Sequence, residues 1–164
     1  MSLTAARLRE VLSYDPLTGE FRWLVAPSNR VRIGQVAGNV RKDRYWIITI
    51  DATRYLAHRL AFLYMTLKFP DLEVDHIDCD KSNNRWDNLR EANRSSNAAN
   101  CCRSRRNTSG FKGVSWYERE RKFCAFITIN RRQIYLGRFD TPEEAHAAYI
   151  SSAVKHFGEF ARAA

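Results

Sequence analysis

Asp75, His76, Asn88 and Asn97, spread through the segment VDHIDCDKSNNRWDNLREANRSSNAAN (residues 74–100), are the side chains best equipped to do chemistry. A neutral imidazole takes a proton from water near pH 7, while a carboxylate and an amide oxygen suit a hard divalent cation such as Mg²⁺. Groups of these types can assemble a single-metal hydrolytic site, and phosphodiester cleavage is the reaction such a site serves. Neighbours on a regular strand point to opposite faces, so Asp75 and His76 act together only where the strand ends or bends.

The elements that must position these residues are legible around them. LEVDHID alternates apolar and polar residues as a short strand does, DCDKSNNRWDN is rich in turn formers, and LREA makes a return strand. Asn93 is a good N-cap for a helix that starts near Arg94 and carries SSNAANCC. Asn97 and Asn100 each cost this helix about half a kcal/mol relative to Ala, which invites a functional explanation. Asp78, Asp80 and Asn83 alternate oxygens through the loop, but DCDKSNNRWDNL lacks the Gly and terminal Glu of a calcium loop.

Strand, long loop, strand and helix, with DH at the first strand end, Asn88 before the return strand and Asn97 in the helix, resemble the HNH endonuclease family and its ββα-metal fold. The upstream AHRLA string (residues 57–61) is similar to phage-type members. Asp75 and Asn97 stand where many members have His, a pattern similar to the homing-endonuclease branch. The resemblance implies that His76 is the general base and that Asp75 and Asn97 hold one divalent metal ion, Mg²⁺ first and Mn²⁺ second. It also implies that Asn88 braces the loop so that His76 keeps its orientation, and that hydrolysis leaves 5′-phosphate and 3′-hydroxyl ends.

The whole chain agrees with an acidic polymer as partner. Its 164 residues carry 27 Lys+Arg against 18 Asp+Glu, a net +9, and nucleic acid is preferred to anionic membrane as the partner of such a charge. Residues 71–109 balance at 7 basic and 7 acidic side chains, between flanks with 11 against 5 and 9 against 6. Basic flanks that grip phosphates around a centre that binds a cation fit this pattern. The N-terminus lacks the apolar run of a signal peptide and YLAHRLAFLYMTL is broken by His58 and Arg59, so a cytoplasmic protein without a membrane span is expected. Cys79, Cys101, Cys102 and Cys124 form no CxxC pair and read as free thiols.

Upstream of the motif, TAARLREVL reads as a small helix, YDPLTGEFRW as a turn into a hairpin, and residues 22–40 as irregular. YWIITI is a strand, DATRY a turn, and HRLAFLYMTL (residues 58–67) a buried helix stopped by Phe69-Pro70. His58 and Arg59 fall in its first turn, where they serve as packing or capping groups or meet a phosphate.

Downstream, CCRSRRNTSG reads as a basic linker whose Arg103, Arg105 and Arg106 can lie along a DNA backbone. Strands then follow at residues 113–117, 123–129 and 133–139, and Thr141-Pro142-Glu143-Glu144 opens a helix that Gly158 ends. Ala125, Ile127 and Ile129 share one sheet face, which Ala145, Ala148 and Ala153 allow the helix to approach. Trp116 is expected in the core, and His146 and His156 are expected to be structural. FKGVSW, KFCAFITI and IYLGRFDTPEEAHAAY, with the late Gly158, resemble the plant ethylene-response-factor (ERF) type of DNA-binding domain. That resemblance places Lys112, Ser115, Tyr117, Lys122, Thr128, Gln133 and Tyr135 at or beside DNA-facing positions. Arg and Trp stand at several of these places in plant members, so base specificity does not transfer.

The expected fold class is α+β: a small N-terminal helix-and-hairpin region, a central ββα-metal nuclease motif, and a three-stranded antiparallel sheet packed on one helix. The domains are an HNH domain over 1–102 with its motif at 72–102, a basic linker at 103–109, and an ERF-like domain at 110–164. The expected function is metal-dependent cleavage of double-stranded DNA, with no small-molecule cofactor. A DNA-binding transcriptional regulator that keeps an inactive nuclease fold is the alternative.

Overall fold

Thr4 starts the first helix, α1 (Ala5–Val11), by accepting a hydrogen bond from the Arg7 backbone at 3.2 Å, and Leu8 and Val11 supply its buried face. The computed structural model to which this helix belongs describes residues 3–104 and 106–162. The chain divides into two units by its internal contacts, one ending at Glu91 and the other starting at Ala92. The architecture is α+β, with four small antiparallel sheets and four helices among the described residues.

In the first unit, α1 runs into a hairpin of β1 (Leu12–Asp15) and β2 (Glu20–Trp23). The Asp15 carboxylate shapes its turn by accepting from Leu17 N and Thr18 Oγ1, both at 2.9 Å. The stretch after β2 is largely irregular, then β3 (Asn39–Val40), β4 (Trp46–Ile50) and β5 (Thr53–Leu56) form a second sheet. The turn expected over DATRY shrinks to Asp51-Ala52, both at positive φ. Thr53, Arg54 and Tyr55 pair with β4 instead, Arg54 opposite Thr49, because a β-branched and an aromatic residue suit the ladder. The helix α2 (Ala57–Thr66) buries Leu60, Ala61 and Leu63 against Leu8, Leu12, Phe21 and Ile48. It ends with Leu67 in the left-handed region, just ahead of Phe69-Pro70.

The strands β6 (Glu73–His76) and β7 (Leu89–Ala92) form the hairpin of the motif, separated by a loop and a single 3₁₀ turn at Trp86–Asn88. The β1–β2 turn packs on this loop: Trp86 N donates to Pro16 O at 3.0 Å, and the buried Tyr14 hydroxyl donates to Asn84 O at 2.7 Å.

The second unit opens with α3 (Arg94–Asn100), capped by Asn93 Oδ1 accepting from Ser96 N at 2.9 Å. Asn107 Nδ2 then donates to both Phe111 O and Val114 O at 2.9 Å, tying the end of the basic run to the sheet that follows. That sheet has the order β10-β9-β8, with β8 at Val114–Tyr117, β9 at Lys122–Ile129 and β10 at Arg132–Phe139. The helix α4 (Pro142–Phe157) begins with a complete Thr141/Glu144 capping box. Ala145 and Ala153 are wholly buried, and the Tyr149 ring fills the space above Gly113 and packs with Ile127. Trp116 is not a core residue: 41% exposed near the end of β8, it packs edge-on to Phe123 and turns its indole N–H to Glu118.

Gly19 shows how tightly the first hairpin seats on the loop. Its φ is +75°, and a Cβ there would lie 2.4 Å from the Asn84 carbonyl carbon. Gly19→Ala is therefore expected to destabilise the protein by about 2–4 kcal/mol from backbone strain and overpacking together. Urea unfolding measures this, and a wild-type midpoint would refute the contact.

Candidate active site and nucleic-acid interface

β6 ends at His76, where the backbone turns: Ile77 N donates to Asn88 O at 2.9 Å, Cys79 N to His76 O at 2.9 Å, and Cys79 adopts φ 65°. Even at this strand end the two adjacent residues face different partners. Asp75, buried, accepts from Arg90 Nε at 3.1 Å on the paired strand. His76, also buried, sets Nε2 3.4 Å from Asn84 Oδ1.

Asn88 spends its whole amide on the loop. Oδ1 accepts from Asp78 N at 3.0 Å, while Nδ2 donates to Asp78 Oδ1 at 3.0 Å and to Asn83 O at 2.8 Å. The loop carboxylates also bond within the loop. Asp78 Oδ2 accepts from Asn83 Nδ2 at 2.7 Å, and Asp80 Oδ1 accepts from the Ser82 backbone and hydroxyl. Those two hydrogen bonds hold the Asp80 carboxyl below its ordinary range. Among the described residues, no three His, Cys, Asp or Glu side chains are grouped to hold a metal ion.

Asn84 is the residue that the sequence reading passed over, one of an Asn doublet in a loop full of turn formers. Its Nδ2 donates to Ser82 O at 3.0 Å, which leaves Oδ1 to face His76. An amide oxygen only accepts, so this contact is a hydrogen bond where the imidazole carries its proton on Nε2. Burial pushes the His76 pKa below the ordinary imidazole value, against an upward pull from Asn84 and from Asp78, Asp75 and Asp80.

His58 is not at the surface. Only 5% exposed in the first turn of α2, it lies edge-to-face with His76 at 5.0 Å between ring centroids, and Tyr45 packs on both rings. Its Nδ1 has no hydrogen-bond partner, and burial lowers its pKa to about 3, with smaller contributions from His76 and Arg59. Arg59 donates to the Pro70 and Leu72 carbonyls and so fastens the segment that enters β6. Asn97 lies on α3 in the second unit, half-buried.

In the second unit, the strand register sorts the other candidate residues. Ser115 opposes Cys124, Tyr117 opposes Lys122, and Thr128 and Phe126 oppose Gln133 and Tyr135. Six of the sequence candidates thus share the sheet face turned away from α4, together with Cys124, Phe126 and Arg138. Arg138 was missed because its place on this face depends on the bulge between Tyr135 and Gly137. Its guanidinium lies 5.4 Å from the Tyr117 ring and pairs with Glu120, while Lys122 pairs with Asp140. Lys112 is elsewhere: it donates to Ala99 O and lies 5.9 Å from the Tyr149 ring, on the helix side. Arg103 donates to Asn107 O at 3.0 Å, Arg106 is exposed, and Arg105 falls outside the described residues.

The strand end thus carries a buried carboxylate and imidazole, and an asparagine clamps the intervening loop. The chain belongs to the HNH endonuclease family, whose model matches residues 55–99. Protein 3.8 of Escherichia phage T7 is 34% identical over 89 residues, covering 54% of this chain and 73% of that protein. The uncharacterized HNH endonuclease L560 of Acanthamoeba polyphaga mimivirus is 28% identical over 148 residues, 89% of this chain and 68% of the relative. A solved structure concerned with DNA binding and cleavage by the HNH homing endonuclease I-HmuI covers 90% of this chain and 85% of its own. It does so at 17% identity and a TM-score of 0.43, a likeness too low to carry an argument. Among the described residues, no helix is long and apolar enough to cross a membrane, and the four cysteines are free thiols.

The buried histidines make stability depend on pH. Folded His58 takes up a proton only near pH 3, whereas the unfolded chain does so near 6.5, so its contribution is full above pH 6.5 and is lost as pH falls towards 3. His76 acts in the same direction. The melting temperature is expected to fall from pH 6.5 to pH 4, and to fall less steeply in His58→Leu; parallel curves in scanning calorimetry would refute this.

Proposed function

We propose that this HNH nuclease is a divalent-metal-dependent endonuclease of double-stranded DNA, with His76 as general base and Asp75 and Asn97 as metal ligands. The observation that carries the reading is the His76 imidazole, buried at the strand end beside Asn84 and neutral at pH 7. The reacting water gives its proton to the His76 imidazole and its oxygen to the phosphorus, as the bond to the 3′-oxygen breaks. The products are 5′-phosphate and 3′-hydroxyl ends. A positioned base of this kind contributes on the order of 10²- to 10⁴-fold.

The donor set suits Mg²⁺ or Mn²⁺. One carboxylate and one amide are hard oxygen ligands, and a cation of this type completes its shell with substrate phosphate and water rather than with a full protein cage. When bound, the metal polarises the scissile phosphate and stabilises the leaving oxygen. Asn88 keeps the loop, and thus Asn84, in place beside the base. Binding to duplex DNA is assigned to the ERF-like sheet face of the second unit, where Ser115, Tyr117, Thr128, Gln133 and Tyr135 stand together and Arg138 joins them. Arg103, Arg105 and Arg106 follow the backbone.

Supercoiled plasmid with a metal titration tests the activity. Nicked or linear product is expected with Mg²⁺ or Mn²⁺ and none with chelator, and His76→Ala is expected to lose roughly 10²-fold or more in rate while binding DNA. Tight DNA binding without cleavage under any metal would favour the regulator reading. Tyr135→Ala and Gln133→Ala are expected to weaken DNA binding several-fold and leave the rate at saturating protein little changed. Unaltered binding in gel-shift titration would remove the sheet face from the interface.

A further inference from the structure

Lys81 lies in the loop between β6 and β7, yet the proposed hydrolysis gives it no part. Its ammonium sits 4.4 Å from the centroid of the Tyr45 ring, and that ring packs on His76 with 6.1 Å between centroids and on His58 with 5.3 Å. The lysine is thus carried, inside the first unit, on the ring that borders the candidate base. It is half-buried, and among the described residues its side chain makes no ion pair or hydrogen bond. A ring face attracts the charge of an ammonium but offers no acceptor oxygen, so three donors remain for another group.

The charges nearby say what that group is. Asp75 is matched by Arg90 at 3.1 Å, and Asp78 bonds the side-chain amides of Asn83 and Asn88. Asp80 bonds Ser82, with Arg44 of the β3–β4 turn near enough to favour its charge further. The motif carboxylates therefore have partners without Lys81. They still repel a phosphodiester brought to His76, and burial keeps both imidazoles uncharged at pH 7, so neither offsets that repulsion. A cation beside the base does.

We propose that Lys81, laid on the Tyr45 ring, binds a backbone phosphate of the DNA strand next to the one to be cut. Such a contact fixes where the strand lies without reading its sequence. The inference rests on the reading of the chain as a DNA nuclease. It gives the first unit a hold on DNA of its own, in addition to the sheet face and arginines of the second.

Gel-shift titration of the full chain on a short duplex, in chelator and at several salt concentrations, tests the contact without cleavage. Lys81→Gln is expected to weaken binding several-fold and to make the slope of log K against log salt shallower by about one. Lys81→Arg, which keeps the charge on the ring, is expected to stay near wild type. Lys68→Gln makes the same charge change beyond the far end of α2 and is expected to leave the slope unaltered.

A wild-type slope in Lys81→Gln would overturn the proposal. So would an equal loss in Lys81→Arg, which assigns the effect to packing on Tyr45, or in Lys68→Gln, which assigns it to overall charge. A wild type that binds no duplex sinks the DNA reading beneath the inference, whereas unchanged slopes in a chain that does bind strike Lys81 alone.

Discussion

The side-chain amide of Asn88 closes the loop between β6 and β7 by bonding Asp78 twice and Asn83 once. Asn84, in that closed loop, places its Oδ1 3.4 Å from His76 Nε2. A loop this rich in Asp, Ser and Asn has many local hydrogen-bonding alternatives, and a flexible version would surround His76 in many ways. The amide removes that freedom with neutral bonds. It leaves the nearby carboxylates to bond within the loop rather than compete for the imidazole proton.

Charge in the motif follows the same economy. Asp75 and Arg90 form an ion pair with little solvent access, a costly element unless its geometry is good, and one that is damaging to break from either side. The two histidines answer burial differently, by staying neutral. The strand end therefore joins a charged group that faces β7 to an uncharged one that faces the loop and α2, within two consecutive residues.

Much of this was legible beforehand because local signals coincide with global structure. Asn93 and Thr141 cap helices where their side chains allow, the alternation in LEVDHID and KFCAFITI gave strands, and Asn88 fell at the hairpin as the family resemblance implied. The misses share a cause: each depended on contacts distant in sequence. Asn84 looks like any loop asparagine until Ser82 O and His76 fix its two ends. His58 looks like a helix-end group until the chain brings it under His76, eighteen residues later. Trp116 has core chemistry but lies near the end of β8, where its indole N–H meets the exposed Glu118. Arg138 changes face through a bulge that no residue type announces.

The β1–β2 turn, far outside residues 55–99, touches the motif loop at three places: Pro16 O receives Trp86 N, Tyr14 holds Asn84 O, and Gly19 admits the Asn84 backbone. The family motif is therefore not a portable cassette. A strand-loop-strand excised at its recognisable borders would carry the reactive side chains but not the wall against which their loop is moulded. The N-terminal hairpin is thus part of the support of the motif loop, although little in its own composition hints at chemistry.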